Sequence, residues 1–373
     1  MGVFAMKWKI DDYDGEYRVV SLALNSIVKS DLEKKEDGML WVDGDEVFLY
    51  PEKRKQMVSN DTLTYLKQRN NYDVFEIWQD GRIVLQFDVQ SIDNYFFVTG
   101  KCNSNCIMCP SPEISRRKGQ NTDVTSLIKL AQHVPTNVSH ITITGGEPFL
   151  IGESIFDFLE FLKRKFEKTE FLFLTNGRIF SVKKYVDLFR ETAPVNSIVA
   201  IPIHGSKSEI HDAITCAENS LIQTKQGIKN LLKIGTRVEI RLVVCKLNAE
   251  DIVNITDMIV NEFPQIEYVS ILAMEMTGNA YVNWKKVWIP YRKAFQLIEK
   301  AVDHLIKSGI TVKLYNFPLC TVESNYWTLC EKSISPEKIR YIETCDMCSM
   351  KNACGGLFAG TVKLEKDDLK AIR

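Results

Sequence analysis

The chain has no run of eighteen apolar residues, so nothing in it reads as a transmembrane helix. Its first residues, MGVFAMKWKIDDYDGEY, lack the apolar core of a signal peptide. Met1-Gly2 opens like a myristoylation site, but Met6 stands where Ser or Thr is wanted. Net charge is only −1, which gives no bulk electrostatic reason to expect nucleic acid or a membrane surface as partner. Nothing indicates an oxidising compartment, and the expected location is the cytoplasm. Against these absences, cysteine is plentiful and uneven. Of ten, three lie within 102–109 and five within 320–354, with Cys216 and Cys245 apart. Clustered thiols in a reducing compartment point to metal rather than bridges. The 373 residues are 45% hydrophobic and 25% charged, an ordinary globular balance with length for two or three domains.

The central stretch is KCNSNCIMCP at 101–110, which spaces Cys102, Cys106 and Cys109 as C-x3-C-x2-C. An apolar run at 95–98 precedes it and reads as a strand. A second run ends in Gly145-Gly146-Glu147-Pro148. Three thiolates on one loop can each hold one iron of a cubane [4Fe–4S] cluster, which ordinarily takes four cysteines. One iron then stays open, as the metal of a catalytic site does. Taken alone, the triplet fits part of a zinc site equally well, since C-x2-C is a zinc spacing. With GGEP after the second strand, the pattern resembles the radical SAM superfamily.

In chain order, residues 1–91 read as a β-rich domain of unassigned role. All four Asp-Gly pairs fall there, at 14–15, 37–38, 43–44 and 80–81, and Asp-Gly between apolar runs is a hairpin signal. The segment reads as a small barrel that guides a substrate or a domain that only stabilises. The helices of a winged-helix leader-peptide domain are not evident. From 92 to 310 strand and helix alternate. Strand-like runs stand at 95–99, 139–144, 170–175, 197–203, 237–244 and 267–273. Helical spacing joins Ile155, Leu159, Leu162 and Phe166, then Ile252, Ile255, Ile259 and Phe263, then Ala294, Ile298, Ala301 and Leu305. Pro290 suits the start of the last helix and Gly309 its stop. Alternation implies an α/β fold with a parallel sheet. The resemblance implies the partial (β/α)6 TIM barrel of radical SAM cores, and six units agree with it.

From 311 to 373 the alternation stops and five cysteines follow. Cys345, Cys348 and Cys354 read C-x2-C-x5-C, which resembles part of the SPASM or twitch extension that holds auxiliary iron–sulfur clusters. No cysteine follows Cys354, so one auxiliary [4Fe–4S] cluster is expected, with Cys320, Cys345, Cys348 and Cys354 as its fullest ligand set. A structural zinc site is the alternative. The chain is most similar to the His-Xaa-Ser system radical SAM maturases, through NFPLC at 316–320, KSIS at 332–335, the C-x2-C-x5-C-G-G-x-F ending and IPIHG at 201–205.

That resemblance implies an enzyme that reductively cleaves S-adenosylmethionine (SAM) to a 5′-deoxyadenosyl radical and modifies a small ribosomally made peptide. A cross-link or another oxidative C–H functionalisation is the implied product, and a flavodoxin or ferredoxin the implied electron donor. It implies that Met108 packs on the adenine, where a thioether offers a soft surface, the alternative being plain loop packing. It places Gly145, Gly146, Glu147 and Pro148 at the C-terminal face of the sheet, where glycine lets backbone approach a ligand and Glu147 or a carbonyl accepts from the SAM ammonium. Read without the resemblance, GGEP is a tight strand-to-helix turn. Asn176, in Thr175-Asn176-Gly177-Arg178, is placed near SAM, the alternative being an Asn-Gly turn. In IPIHG, Pro202 replaces the Ser with which many relatives contact SAM. His204 is a candidate for substrate or ribose contact, or a structural histidine. Arg241, a charge inside an apolar strand, is assigned to the SAM carboxylate. Asn248 reads as a helix N-cap with Asp251 three residues on. Cys216, Cys245 and Cys330 take no role, although Cys330 is an alternative to Cys320 as ligand or a thiol for a substrate radical. Rival readings are a small-molecule or folded-protein substrate, and a non-catalytic iron–sulfur redox sensor.

Overall fold

The computed structural model describes residues 8–35, 38–335, 338–366 and 368–373. Met1, Gly2 and Met6 of the N-terminal reading, and Asp37, lie outside the described residues. Residues 10–87 build a seven-stranded sheet: β1 (Ile10–Asp11), β2 (Arg18–Ala23), β3 (Met39–Asp43), β4 (Glu46–Tyr50), β5 (Arg54–Val58), β6 (Val74–Ile77) and β7 (Ile83–Phe87). Asp43-Gly44 turns β3 into β4, and Asp80-Gly81 turns β6 into β7, each with its glycine at positive φ. Asp14-Gly15 makes no hairpin, because β1 pairs with β5 rather than with β2. The order is β1-β5-β4-β3-β2-β6-β7 and only β2–β3 is parallel, so this is an open sheet and not a small barrel. Two helices, Ser26–Lys34 and Asn60–Lys67, accompany it, each started by a side chain that accepts an N-terminal amide: Asn25 from Val28, Ser59 from Thr62.

The six strands expected downstream all form: β8 (Tyr95–Phe97), β9 (His140–Thr144), β10 (Glu170–Leu174), β11 (Ser197–Pro202), β12 (Arg237–Val244) and β13 (Tyr268–Ala273). Every neighbouring pair is parallel. Alternate residues carry the fold. Ile141 and Ile143, Phe171 and Phe173, Val199 and Ile201, and Val238, Ile240 and Leu242 are buried in one core with the intervening helices. The other set, including Thr142, Glu239, Arg241 and Ser270, faces inward. The three expected helices run Ser154–Lys165, Ile252–Glu262 and Tyr291–Lys307, the last entered from Pro290 and closed before Gly309 at φ 77°.

The sheet does not stop at 310. β14 (Val312–Tyr315) adds parallel to β13, and β15 (Cys330–Glu331) adds to β14. Both are too short and too polar to leave an apolar run: β14 is VKLY and β15 is CE. The order β15-β14-β13-β12-β11-β10-β9-β8 never closes, so the fold is a partial barrel. Beyond it, β16 (Ile339–Arg340) and β17 (Leu357–Phe358) form a small antiparallel pair among the C-terminal cysteines.

Candidate active site

The cysteine loop follows β8 at the C-terminal ends of the strands and is held from three sides. Behind it, the Gly146 amide donates to the Thr99 carbonyl at 2.7 Å and the Glu147 amide to that of Lys101 at 2.7 Å. A Cβ on Gly145 would collide with the Thr99 carbonyl oxygen, and one on Gly146 with that of Lys101. These glycines are required because the chain's own backbone lies against them. The close approach expected for a ligand is therefore made here by the cysteine loop. On a second side, the Asn105 amide donates to the Thr215 carbonyl and the Ile107 amide to that of Ile214, both at 2.9 Å. On the third, the Asn279 side-chain amide donates to the Cys106 carbonyl and that of Asn283 to the Ile107 carbonyl, each at 3.2 Å.

Two arginines hold this packing, Arg178 in the segment already placed near SAM and Arg116 with no signal in the sequence. Arg178 donates to the Asn103 carbonyl at 2.9 Å and, through Nε, to Gln223 at 2.7 Å. Arg116 is buried and donates to Asn105 Oδ1 at 2.5 Å and to the Ser111 carbonyl, while its Nε has no partner. In the sequence it belongs to Ser-Arg-Arg-Lys, which resembles a solvated charged turn. Asn105, Asn279 and Asn283 were equally silent.

Glu147 is buried, and its carboxylate turns into the protein. Oε1 accepts from the Thr175 hydroxyl at 2.8 Å and the Phe149 amide at 3.2 Å, and Oε2 from the Asn176 amide at 2.7 Å. Burial raises its pKa, and those three donors oppose the rise. The carboxylate thus ties the end of β9 to the end of β10. Pro148 opens a short 3₁₀ turn, and Phe149 anchors it against Phe180, their rings 4.9 Å apart. Asn176 spans the mouth, its side-chain amide donating to Asn103 Oδ1 at 2.6 Å. It is thereby joined to the cysteine loop.

Met108 is buried with Met274, Met276, Cys245 and Ile214. His204 is also buried, its ring 5.5 Å from that of His211. Its amide donates to His211 Nδ1 at 3.1 Å, while its own Nδ1 has no partner. Burial pushes the His204 pKa down to about 3 and the His211 pKa down to about 4, so both rings are neutral near pH 7. Arg241 faces the barrel interior. Its Nη1 lies 3.3 Å from Glu239 Oε1, and Tyr268 donates to Glu239 Oε2 at 3.3 Å. Ser270 pairs opposite Arg241, its buried hydroxyl without a partner. Asn248 is not the helix cap expected. It closes its own turn, accepting from the Cys245 amide at 2.8 Å and donating to the Val243 carbonyl at 3.0 Å. The helix begins after Asp251, whose carboxylate accepts from the Ser206 amide and hydroxyl and so ties down the end of IPIHGS.

At the other end of the chain, Cys320, Cys345, Cys348 and Cys354 line one pocket with Pro318, Tyr341 and the tail residues Leu369–Ile372. Its space, mouth included, is about 430 Å³. Backbone amides already face the sulfurs. Cys354 Sγ accepts from Leu319 at 3.5 Å and Gly356 at 3.4 Å, and Cys348 Sγ from Ile372 at 3.4 Å. Cys102 Sγ accepts from Ser104 at 3.4 Å in the first loop. Hydrogen bonds of this kind set the charge balance of iron–sulfur sites. Among the described residues, no three His, Cys, Asp or Glu side chains converge on a point where one metal ion would sit. Cys330 lies outside the pocket, with Sγ 3.8 Å from the Tyr326 carbonyl. Cys245 is a core residue and Cys216 is exposed.

This partial barrel with its three-cysteine loop is the architecture of radical SAM proteins. Residues 96–259 match the family described as the Radical SAM superfamily, and the chain carries a domain of that superfamily. It is similar to GTP 3′,8-cyclase of Helicobacter pylori strain ATCC 700392 / 26695, 26% identical over 181 residues, which are 47% of this chain and 54% of that protein. The chain thus spans about half the length of the curated relatives it matches. Among solved structures it is similar to polyhistidine-tagged anSMEcpe with bound AdoMet, at 15% identity, 59% of this chain, 60% of that one and TM-score 0.47. It is also similar to Streptococcus suis SuiB bound to S-adenosylmethionine, at 15% identity, 68% of this chain, 52% of that one and TM-score 0.46. No helix among the described residues is long and apolar enough to cross a membrane.

Proposed function

We propose that this chain is a radical SAM enzyme that modifies a ribosomally made peptide by oxidative C–H functionalisation. The observation that carries the reading is the cysteine loop itself: three thiols presented at the mouth of a partial barrel, on backbone pinned to the GGEP turn and the end of β10. Bound there, a [4Fe–4S] cluster and SAM supply the 5′-deoxyadenosyl radical that removes a hydrogen atom from substrate. Cys102, Cys106 and Cys109 hold the irons. Met108 and the Gly145–Gly146 backbone line the SAM side, and Arg241, oriented by Glu239, takes the SAM carboxylate. Glu147 and Asn176 keep the strand ends that carry these groups in register. Pro148 sets the turn, and His204 stays neutral beside the mouth.

The C-terminal pocket holds one auxiliary [4Fe–4S] cluster on Cys320, Cys345, Cys348 and Cys354. Its support is the set of four cysteines lining a single pocket, with amides already directed at two of the sulfurs. We assign three functional parts: 1–91 without an assigned role, 92–310 for SAM chemistry and 311–373 for the auxiliary cluster. A peptide substrate rests on the motif resemblance. A small-molecule substrate is the second reading, favoured by the match to a GTP 3′,8-cyclase.

The test is anaerobic reconstitution with iron and sulfide, then reduction with dithionite in the presence of SAM. Release of 5′-deoxyadenosine is expected. Its absence from protein that binds iron and SAM refutes turnover and leaves the redox-sensor reading. Peptides encoded beside the gene then serve as substrates, with modification read by mass.

A further inference from the structure

One exposed patch lies directly over the cysteine loop. It is built on the two short helices after β13, Gly278–Val282 and Trp284–Val287. Their inner faces hold the loop: the Ala280 amide donates to the Cys109 carbonyl at 3.2 Å, beside the Asn279 and Asn283 bonds to Cys106 and Ile107. Their outer face is apolar and in solvent, with Tyr281 63%, Val282 77% and Trp284 43% exposed. Leu247, 45% exposed, continues it, because the Lys246 amide donates to the Val287 carbonyl at 2.8 Å. Cations outnumber acids here, Glu250 being the exposed acid nearest Leu247 in the chain. Residues 276–290 contain Lys285 and Lys286 and no acid, and Lys246 adds a third exposed cation. The segment that carries an exposed aromatic and basic patch thus bonds to the Cys109 carbonyl through the Ala280 amide and to the Cys106 carbonyl through the Asn279 side chain.

We propose that this patch is the docking surface for a small acidic one-electron carrier protein that reduces the first cluster. The proposal rests on the radical SAM reading above. Three features select this occupant. Lysines around an apolar centre complement an acidic rim and steer encounter. The patch is small, as befits transient redox partners, whose interfaces fall at the low end of buried area. Its inner side bonds directly to the backbone of the loop that carries Cys106 and Cys109. The exchange balances simply: the carrier loses one electron and the cluster gains it, with no bond made or broken in the protein.

The test uses iron-loaded full-length protein, reduced flavodoxin as probe and Lys285→Glu/Lys286→Glu as the variant. Cluster bleaching is followed by stopped flow, beside 5′-deoxyadenosine release. Reduction by flavodoxin at low salt should slow by about tenfold or more, since reversing charges converts steering into repulsion. The wild-type rate should fall as salt rises, and the variant's should not. Dithionite, a small reductant that needs no docking, should bleach both proteins alike and yield equal 5′-deoxyadenosine. Trp284→Ser should weaken flavodoxin binding with the same dithionite control. Equal flavodoxin rates for variant and wild type overturn the proposal. So does a raised peptide KM in dithionite-driven turnover with flavodoxin reduction unchanged, which makes the patch a substrate site. So does loss of a dimer in Trp284→Ser with flavodoxin reduction unchanged, which makes it a contact between copies. Failure of wild-type protein to bind iron or cleave SAM with dithionite refutes the radical SAM reading instead.

Discussion

Replacing Glu147 decides between two roles for the GGEP glutamate. If its carboxylate grips the SAM ammonium, Glu147→Gln weakens SAM binding and leaves stability alone. If it holds the loop, the order reverses. In the structure it accepts from the Thr175 hydroxyl, the Phe149 amide and the Asn176 amide, in a fully buried position. Glutamine keeps one carbonyl, so its NH2 group must face one of these donors, the Asn176 amide if the carbonyl takes the place of Oε1. An orphaned buried donor costs about 1–3 kcal/mol. Glu147→Ala orphans all three donors and leaves a void, for about 3–5 kcal/mol. Either loss is a large share of a typical stability of about 5–15 kcal/mol. The assay is urea unfolding of the anaerobic iron-loaded protein, with SAM affinity measured in parallel. Glu147→Gln should lower the midpoint at unchanged slope. Thr175→Val should couple to it in a double-mutant cycle by about 0.5–3 kcal/mol. A wild-type midpoint with SAM binding weakened tenfold would refute the loop-holding account and return the carboxylate to the ligand.

Two clusters imply about 8 irons per chain, so Cys102, Cys106 and Cys109 all changed to Ala should leave about half the iron and no SAM cleavage; wild-type protein with only about 4 irons sinks the auxiliary cluster. Arg241→Gln should weaken SAM binding about ten- to a hundredfold, the loss of a charge-assisted bond worth about 1.5–3 kcal/mol; because Glu239 would be left buried, the comparison is made in a Glu239→Gln background, and unchanged affinity removes Arg241 from the site. Changing Cys345, Cys348 and Cys354 to Ala should spare uncoupled SAM cleavage but abolish the peptide product, a mass loss of about 2 Da for a cross-link; full peptide modification by that variant excludes this end from turnover. Glu365 is buried, and burial lifts its carboxyl from the ordinary 4.5 to about 7. Between those values the native state holds the extra proton, so stability should fall as pH rises through the window, and Glu365→Gln should flatten that slope.

The sequence made the barrel legible because its strands are apolar and its helices periodic. Ile252, Ile255, Ile259 and Phe263 repeat at helical spacing, and all four are fully buried. It left β14 and β15 hidden, because VKLY and CE carry no run that periodicity can detect. Of the site, the three-cysteine loop could be read from spacing. At the C-terminal end, the four cysteines named from their spacing line one pocket and Cys330 does not. Residue types were legible where several of one kind recur at short spacing. What could not be read were single polar side chains that act across long separations. Asn279 reaches Cys106 over 173 residues and Asn283 reaches Ile107 over 176. An isolated asparagine has the same appearance whether it caps a helix, turns a loop or carries such a bond. Glu147 is the opposite case: the motif located it, but only the fold shows which way its carboxylate turns.

The segment after β13 gives those asparagines a wider meaning. Its inner side fastens the first cysteine loop through Asn279, Ala280 and Asn283. Just before Thr277, its start turns toward the C-terminal part: a Cβ on Gly360 would collide with the Met276 carbonyl oxygen. Tyr291, just beyond the segment, donates its amide to Glu365 at 2.6 Å and its hydroxyl to the Met274 carbonyl at 2.8 Å. Arg292 continues the contact by donating to the Cys320 carbonyl. One continuous stretch, from Met274 to Arg292, therefore touches the first cysteine loop and Cys320 of the C-terminal pocket. Interiors packed at crystal density transmit displacement rather than absorb it. A change that loosens Met276 or Tyr291 is thus expected to be felt at both cysteine sites. That is the physical reason to treat the C-terminal cysteines as part of one working unit with the barrel.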